Sequence, residues 1–170
     1  APHYSLEPEK RNIALSFQDN CLFPHKNISE NIYLGLKENS HNKFKYDFSD
    51  LISIFQLDDV KDKYPHEISS GEAQRVSIAR SLMSYPDLLL LDEPFSNIDI
   101  GLRNDLQMRV KKIIKDNNIT TIIVTHDANE AFYLADKCAI FITGMLKLFD
   151  TPSNTYHYPN SLEVVNFFKN

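Results

Sequence analysis

Four consecutive leucines, Leu88 to Leu91, run without polar alternation into Asp92, Glu93 and Pro94. A strand with no polar side suits a parallel sheet covered on both faces. Pro94 has no backbone N–H to give to a ladder and ends the strand. The carboxylates are left at its carboxyl end, where open α/β sheets bind ligands. The two are adjacent on that strand, so their side chains diverge with the pleat and can take different roles. Upstream, Ser69 and Glu72 have S-x-x-E spacing, so Ser69 caps a helix and Glu72 reaches back to the cap amide. That helix is predicted to bury Ala73, Val76, Ala79, Leu82 and Met83, and to show Glu72, Arg75 and Arg80 elsewhere. Capped helix, apolar strand, paired carboxylates and a polar loop to Asp99 form the layout of a phosphate-handling site.

The flanks continue the alternation of strands and helices. Asn12 to Gln18 reads as a strand with Ile13, Leu15 and Phe17 on one side and Ala14 and Ser16 on the other. Asn27 or Ser29 can cap a helix to about Leu36, with Ile32, Leu34 and Leu36 as its apolar residues; a polar loop at 38–46 containing His41 follows, then a helix over Phe48 to Phe55. Beyond Asp99 a helix carries Leu102, Leu106, Val110, Ile113 and Ile114 on one face. Its lysines and arginines are interleaved with those core positions, so they form a solvated face. Residues 119 to 126 (ITTIIVTH) read as a β-branched strand ending in His126, Asp127 caps the next helix, and a hairpin turns at Thr143-Gly144. This pattern predicts a layered α/β domain with a largely parallel sheet.

Composition narrows the function classes. With 170 residues, 42% hydrophobic and 24% charged, the chain can hold one domain with a sizeable core. A net charge of -5 argues against a nucleic-acid surface as the main function. No apolar run approaches the roughly 18 to 20 residues of a membrane span, and no leader sequence is expected, so any membrane association would go through a partner. Cys21 and Cys138 lack metal-site spacing and read as reduced packing residues. The glycines matter more. There are four, Gly35, Gly71, Gly101 and Gly144, and none belongs to a G-x-x-x-x-G-K-[ST] phosphate loop.

Taken together, Ile68-Ser69-Ser70-Gly71-Glu72, Leu88 to Pro94 (LLLLDEP) and Ser96-Asn97-Ile98-Asp99 resemble the signature, Walker B and D-loop segments of an ATP-binding-cassette (ABC) ATPase. Each segment alone is weak, whereas the three in this order and spacing are specific. Pro8 through Leu36, with FQDNCLFPH at its centre, is similar to the Q-loop region of importer-type members, most of all the branch serving ferric iron, polyamines, sulfate, molybdate and sugars. Thr151 to Phe168 resembles the end of the family's nucleotide domain. The resemblance implies a partial P-loop NTPase-like α/β domain. Its residues from about 19 to 84 would form a helical subdomain that docks on a transmembrane partner, and about 85 to 170 the α/β core.

The same resemblance implies roles for residues. Asp92 would help to hold Mg²⁺ and Glu93 would be the general base acting on the attacking water. Gln18 would contact metal or water and relay nucleotide state. His126 would be the switch histidine at the γ-phosphate. Taken alone, Gln18 and His126 read better as strand-end structural residues, and their contexts reverse those readings; for Asp92 or Glu93 a plain turn cap is the lesser alternative. Ser69, Ser70, Gly71 and Glu72 would face ATP held by a second ATPase subunit in a head-to-tail dimer, with Asp99 of the D-loop beside them. Ser70 and Glu72 stand where the family has glycine and glutamine. The implied whole is a cytoplasmic ATPase subunit, peripheral on the inner face of the membrane. It would bind permease subunits and no nucleic acid, and couple ATP hydrolysis to solute uptake. Without a phosphate loop, this chain alone is expected to be inactive. Two other readings are a degenerate cassette that docks or regulates without catalysis, and an ABC ATPase acting on DNA or the ribosome. The absence of long insertions and the acidic balance disfavour the last.

Overall fold

The computed structural model describes residue 7 and residues 11–36 and 44–168. The loop residues at 38–43, His41 included, lie outside the described residues, as do 1–6 and 8–10 of the expected lead-in. The chain forms two compact units, Ala1–Val124 and Thr125–Asn170.

In the first unit, β1 (Ile13–Ser16), β2 (Leu88–Asp92) and β3 (Thr120–Val124) form a sheet in the order β1-β2-β3. All pairings are parallel, with Ile13 opposite Leu88, Ser16 opposite Leu91, and Asp92 opposite Val124. Helices α1 (Ile28–Tyr33), α2 (Phe48–Ile54), α3 (Ser70–Met83) and α4 (Ile100–Asp116) belong to it, with a 3₁₀ turn at Pro65–Glu67. Because the strands are parallel, all three carboxyl ends reach the same edge of the sheet, and this is where the expected site residues emerge.

The register puts Ala14, Ser16, Leu89 and Leu91 on one face, and all four are buried. The Ser16 and Ser77 hydroxyls meet at 2.9 Å, so α3 covers this face. The opposite face is more open than a continuous leucine run suggests. Leu88 and Leu90 are half-buried there, while Ile13, Leu15, Ile122 and Val124 are exposed, Val124 at 58%. The sequence-level expectation of cover on both faces of β2 therefore holds for one face among the described residues.

Helix α3 is the axis of the unit. The predicted capping box is present, and the helix buries more than the predicted apolar face: Gln74, Ser77, Ile78 and Ser81 are buried with Val76, Ala79, Leu82 and Met83, and Ala73 is half-buried. The reason is that it packs on β1 and β2 on one side and on α1 and α2 on the other. A helix walled in on several sides has no purely solvated face. Arg75 accordingly departs from its expected outward position: it is half-buried, and its Nη1 donates to the carbonyls of Phe55 (2.6 Å) and Gln56 (2.8 Å) at the end of α2.

Helix α1 is capped by Asn27, with Glu30 closing a capping box, and it stops at Tyr33, short of the predicted Leu36. Leu34 is exposed as a result. Ile28, Ile32, Leu51, Phe55, Leu57, Ile78 and Leu82 are fully buried and make the helical half of the core. Burying each such side chain contributes about 1.5–3 kcal/mol.

The segment before α2 is tied to the end of α4. The Tyr46 hydroxyl donates to Asp116 Oδ2 at 2.6 Å, and the Lys45 amide donates to Asn117 Oδ1 at 2.9 Å. The hydrogen bond to Asp116, helped by burial and by the carboxylate charge, pushes the Tyr46 phenol from 10.0 up to about 12. A raised phenol pKa favours folding while the hydroxyl keeps its proton. The contribution is complete below the unfolded value and is lost as pH rises through the folded one. Tyr46→Phe is expected to cost about 1 kcal/mol or less, since solvent screens the pair. In urea titrations, the gap between wild type and variant should hold up to about pH 10 and narrow as pH rises towards about 12. A pH-independent gap would rule out this bond as its source.

The second unit holds α5 (Ala128–Leu134), the antiparallel hairpin β4 (Cys138–Ile142) and β5 (Met145–Asp150), α6 (Pro152–His157) and α7 (Leu162–Phe167). Asp127 caps α5 as predicted, accepting from the amides of Asn129 and Glu130. The hairpin turns at Thr143 (φ 49°) and Gly144 (φ 77°). Two successive left-handed residues match the right-handed twist of the strands. Thr151 caps α6, and Lys147 pairs with Glu163 at 2.7 Å.

Candidate active site

Asp92 is the last residue of β2, and Gln18 stands two residues past the end of the neighbouring β1. The topology thus brings both to the carboxyl edge of the sheet. Glu93 has left the ladder. Its φ is 47°, so the separation of the two carboxylates comes from a left-handed turn rather than from the pleat. A non-glycine residue in this region costs roughly 1–2 kcal/mol, which the surroundings must offset. They do so through its backbone. The Glu93 amide donates to Val124 O at 2.9 Å, and its carbonyl accepts from Gln74 Nε2 at 2.6 Å and from Ser96 Oγ at 3.0 Å.

Gln74 therefore belongs to the site, and the sequence reading did not include it. It is 2% exposed, and its other amide atom, Oε1, accepts from Asn97 N at 2.9 Å. A signal was present in the sequence. Gln74, Ser77 and Ser81 recur at i, i+3 and i+7, an uncharged polar stripe on one helix face. That stripe faces the sheet.

At the start of α3, Ser69 Oγ accepts from the Glu72 amide at 3.2 Å, while the Ser69 amide and hydroxyl donate to Glu72 Oε2 at 2.8 and 2.7 Å. These bonds, the hydroxyl's first, hold the Glu72 carboxyl below its ordinary range. The charge is thereby folded onto the cap. Ser70 is exposed in the first turn. Gly71 is fixed by its neighbour: a Cβ there would lie 2.7 Å from the Asn97 carbonyl oxygen. The amino end of α3 and the 93–99 loop are therefore in direct contact. Asp99 occupies the N-cap position of α4 and is exposed, and its carbonyl accepts from the amides of Leu102 and Arg103.

The loop after Gln18 is also held from elsewhere. Asn20 (φ 58°) and Cys21 (φ 44°) are consecutive left-handed residues. Arg80 Nη2 donates to Asn20 O and Nη1 to Cys21 O, both at 2.9 Å. Asn31, fully buried in α1, accepts from the Phe23 amide at 2.8 Å and donates to the carbonyls of Phe23, Lys26 and Asn27 at 3.1, 2.9 and 3.0 Å. Neither Arg80 nor Asn31 stands out in the sequence, because the partners of each are backbone groups.

His126 lies two residues beyond β3, at the start of the second unit, next to the α5 cap Asp127. Among the described residues no group of three or more His, Cys, Asp and Glu could by itself hold a metal ion. The oxygen donors at the sheet edge, Asp92 and Gln18, suit a hard ion that takes one or two protein oxygens and fills its shell with phosphate and water, as Mg²⁺ does. They do not suit a closed zinc-type cage.

Comparison with known proteins bears on the family and the fold. A family profile described as ABC transporter matches residues 2–96. The chain is 38% identical over 164 residues to the Fe(3+) ions import ATP-binding protein FbpC of Fusobacterium nucleatum subsp. nucleatum, covering 95% of this chain and 44% of that protein. It is 40% identical to the spermidine/putrescine import ATP-binding protein PotA of Chromobacterium violaceum (95% and 45% covered). It is 39% identical to the maltose/maltodextrin import ATP-binding protein MalK of Mannheimia succiniciproducens (95% and 44% covered). The chain thus spans less than half the length of these relatives. Among solved structures, the ATP-binding cassette MJ0796, in a dimeric post-hydrolysis state bound to ADP and Pi, superposes with a TM-score of 0.73 at 22% identity. That match covers 87% of this chain and 68% of that one, and it fixes the fold.

Proposed function

Because the chain belongs to the ABC transporter family, we propose that it is part of an ATP-hydrolysing subunit that powers a solute importer. The observation that carries this reading is the sheet edge, where Asp92 ends a parallel strand and Glu93 follows in a turn latched to the amino end of α3. Phosphoryl transfer to water depends mainly on positioning and charge stabilisation. Asp92 and Gln18 would hold Mg²⁺, which neutralises phosphate charge when bound. Glu93 would take the proton of the attacking water, and His126 would contact the γ-phosphate. The first turn of α3, Ser69 to Glu72, would face ATP held by a second subunit in a head-to-tail dimer, since a helix amino end favours an anion. Asp99 would lie beside it in the same interface.

The helical segment of about 19–84 would dock on transmembrane permease subunits, with about 85–170 as the α/β core, at the cytoplasmic face of the membrane. No helix among the described residues is long and apolar enough to cross a membrane. The relatives named above are importers of different solutes, in keeping with a specificity set by the partners. A non-catalytic docking role is the second reading. It is favoured by Ser70 and Glu72, which place a side chain and a carboxylate at the anion-facing turn.

The 170-residue chain contains no G-x-x-x-x-G-K-[ST] phosphate loop. It is therefore expected to bind ATP weakly and to show no turnover above background when purified alone, whereas the full gene product should hydrolyse ATP. An isolated chain turning over at an ordinary enzyme rate of about 10 s⁻¹ would refute the inactivity. A full gene product that binds its permease but never hydrolyses ATP would favour the docking role.

A further inference from the structure

Gln74 uses its whole amide at one place. Nε2 donates to Glu93 O at 2.6 Å and lies 3.3 Å from Ser96 Oγ, while Oε1 accepts from Asn97 N at 2.9 Å. The side chain bridges both ends of the turn between Glu93 and Asn97. It leaves α3 one turn after Ser69 and Ser70, in the helix whose Gly71 already touches the Asn97 carbonyl. A buried amide with donor and acceptor both matched is rigid, and losing it leaves backbone groups unsatisfied. Glu93 meanwhile sits in a left-handed conformation that its neighbours must maintain.

We propose that Gln74 is a positioning residue that fixes the Glu93 turn to the amino end of α3, so that movement of that helix end re-aims the Glu93 carboxylate. The inference rests on the reading of Glu93 as the base. Under that reading the amino end of α3 faces one nucleotide and Glu93 serves another, so Gln74 links two sites by a single side chain. Its hydrogen bonds are to the Glu93 and Asn97 backbone and to the Ser96 hydroxyl, hence it does not touch reacting atoms.

The test is ATP turnover of the full gene product together with amide exchange in the same sample. Gln74→Met keeps length and apolar volume and removes all three hydrogen bonds. It should lower kcat by roughly ten- to hundredfold, the scale of a small misplacement, with KM for ATP little changed. The Asn97 amide should exchange faster while the amides of Leu89 and Val110 keep their protection, which separates a local release from failure to fold. Ser96→Ala, which removes only a hydroxyl from the same carbonyl, should lower kcat less and also spare KM. In a Glu93→Gln background, Gln74→Met should cause no further loss. Wild-type kcat and an unchanged Asn97 amide in Gln74→Met, with Glu93→Gln inactive, would overturn this inference alone. Wild-type turnover in Glu93→Gln would instead overturn the reading on which it rests.

Discussion

Glu93→Gln is expected to lower ATP turnover of the full gene product by about 10²- to 10⁴-fold, the usual contribution of a positioned general base, while ATP still binds. Glutamine has nearly the same shape and cannot take the proton. The backbone bonds that define the turn, from the Glu93 amide to Val124 and from Gln74 and Ser96 to the Glu93 carbonyl, do not involve the carboxylate. Steady-state hydrolysis and a nucleotide-binding titration on the same sample decide the matter. Turnover within a few-fold of wild type would remove Glu93 from the mechanism and leave the proton transfer to another group.

The largest expected loss of stability comes from the smallest change, Gly35→Ala. A Cβ at this position would run into the Arg80 carbonyl oxygen and lie 3.2 Å from that of Ile32. Both are backbone atoms, so no side chain can swing aside, and the end of α1 must separate from α3. Replacing glycine by alanine at an unstrained site stabilises by only about 0.4–1 kcal/mol through the unfolded chain. Overpacking typically costs about 1–3 kcal/mol, occasionally more, so the clash wins. With about 2–4 °C lost per kcal/mol in a chain of this size, thermal unfolding should start roughly 5–10 °C lower. The effect should reach the site. Arg80 also holds the carbonyls of Asn20 and Cys21, so amides in the loop after Gln18 should exchange faster. An unchanged midpoint would mean that α1 and α3 are less closely opposed than this.

Much of the fold is legible in the sequence because its signals are local. The S-x-x-E box of α3, the Asp127 cap of α5 and the Thr143-Gly144 turn depend on residues within four positions of each other, and each appears as expected. The parallel sheet follows from alternation of elements, and an unbroken leucine run marked β2. By contrast, α1 stops at Tyr33 because apolarity alone does not prolong a helix: Gly35 must come against the backbone of α3.

The sequence by itself determined the fold class, the family, and the placement of Asp92 and Glu93 at a strand end beside a capped helix. These are properties of order and spacing, which a linear string carries in full. Only the tertiary structure decided that one face of β2 is buried and the other half-open, and that Glu93 lies in a left-handed turn. The same holds for Gln74, Arg80 and Asn31, which secure the two loops of the site. Apart from the Ser96 hydroxyl, their partners are backbone atoms, which every residue carries alike, so no residue type in the string announces where such a bond will close.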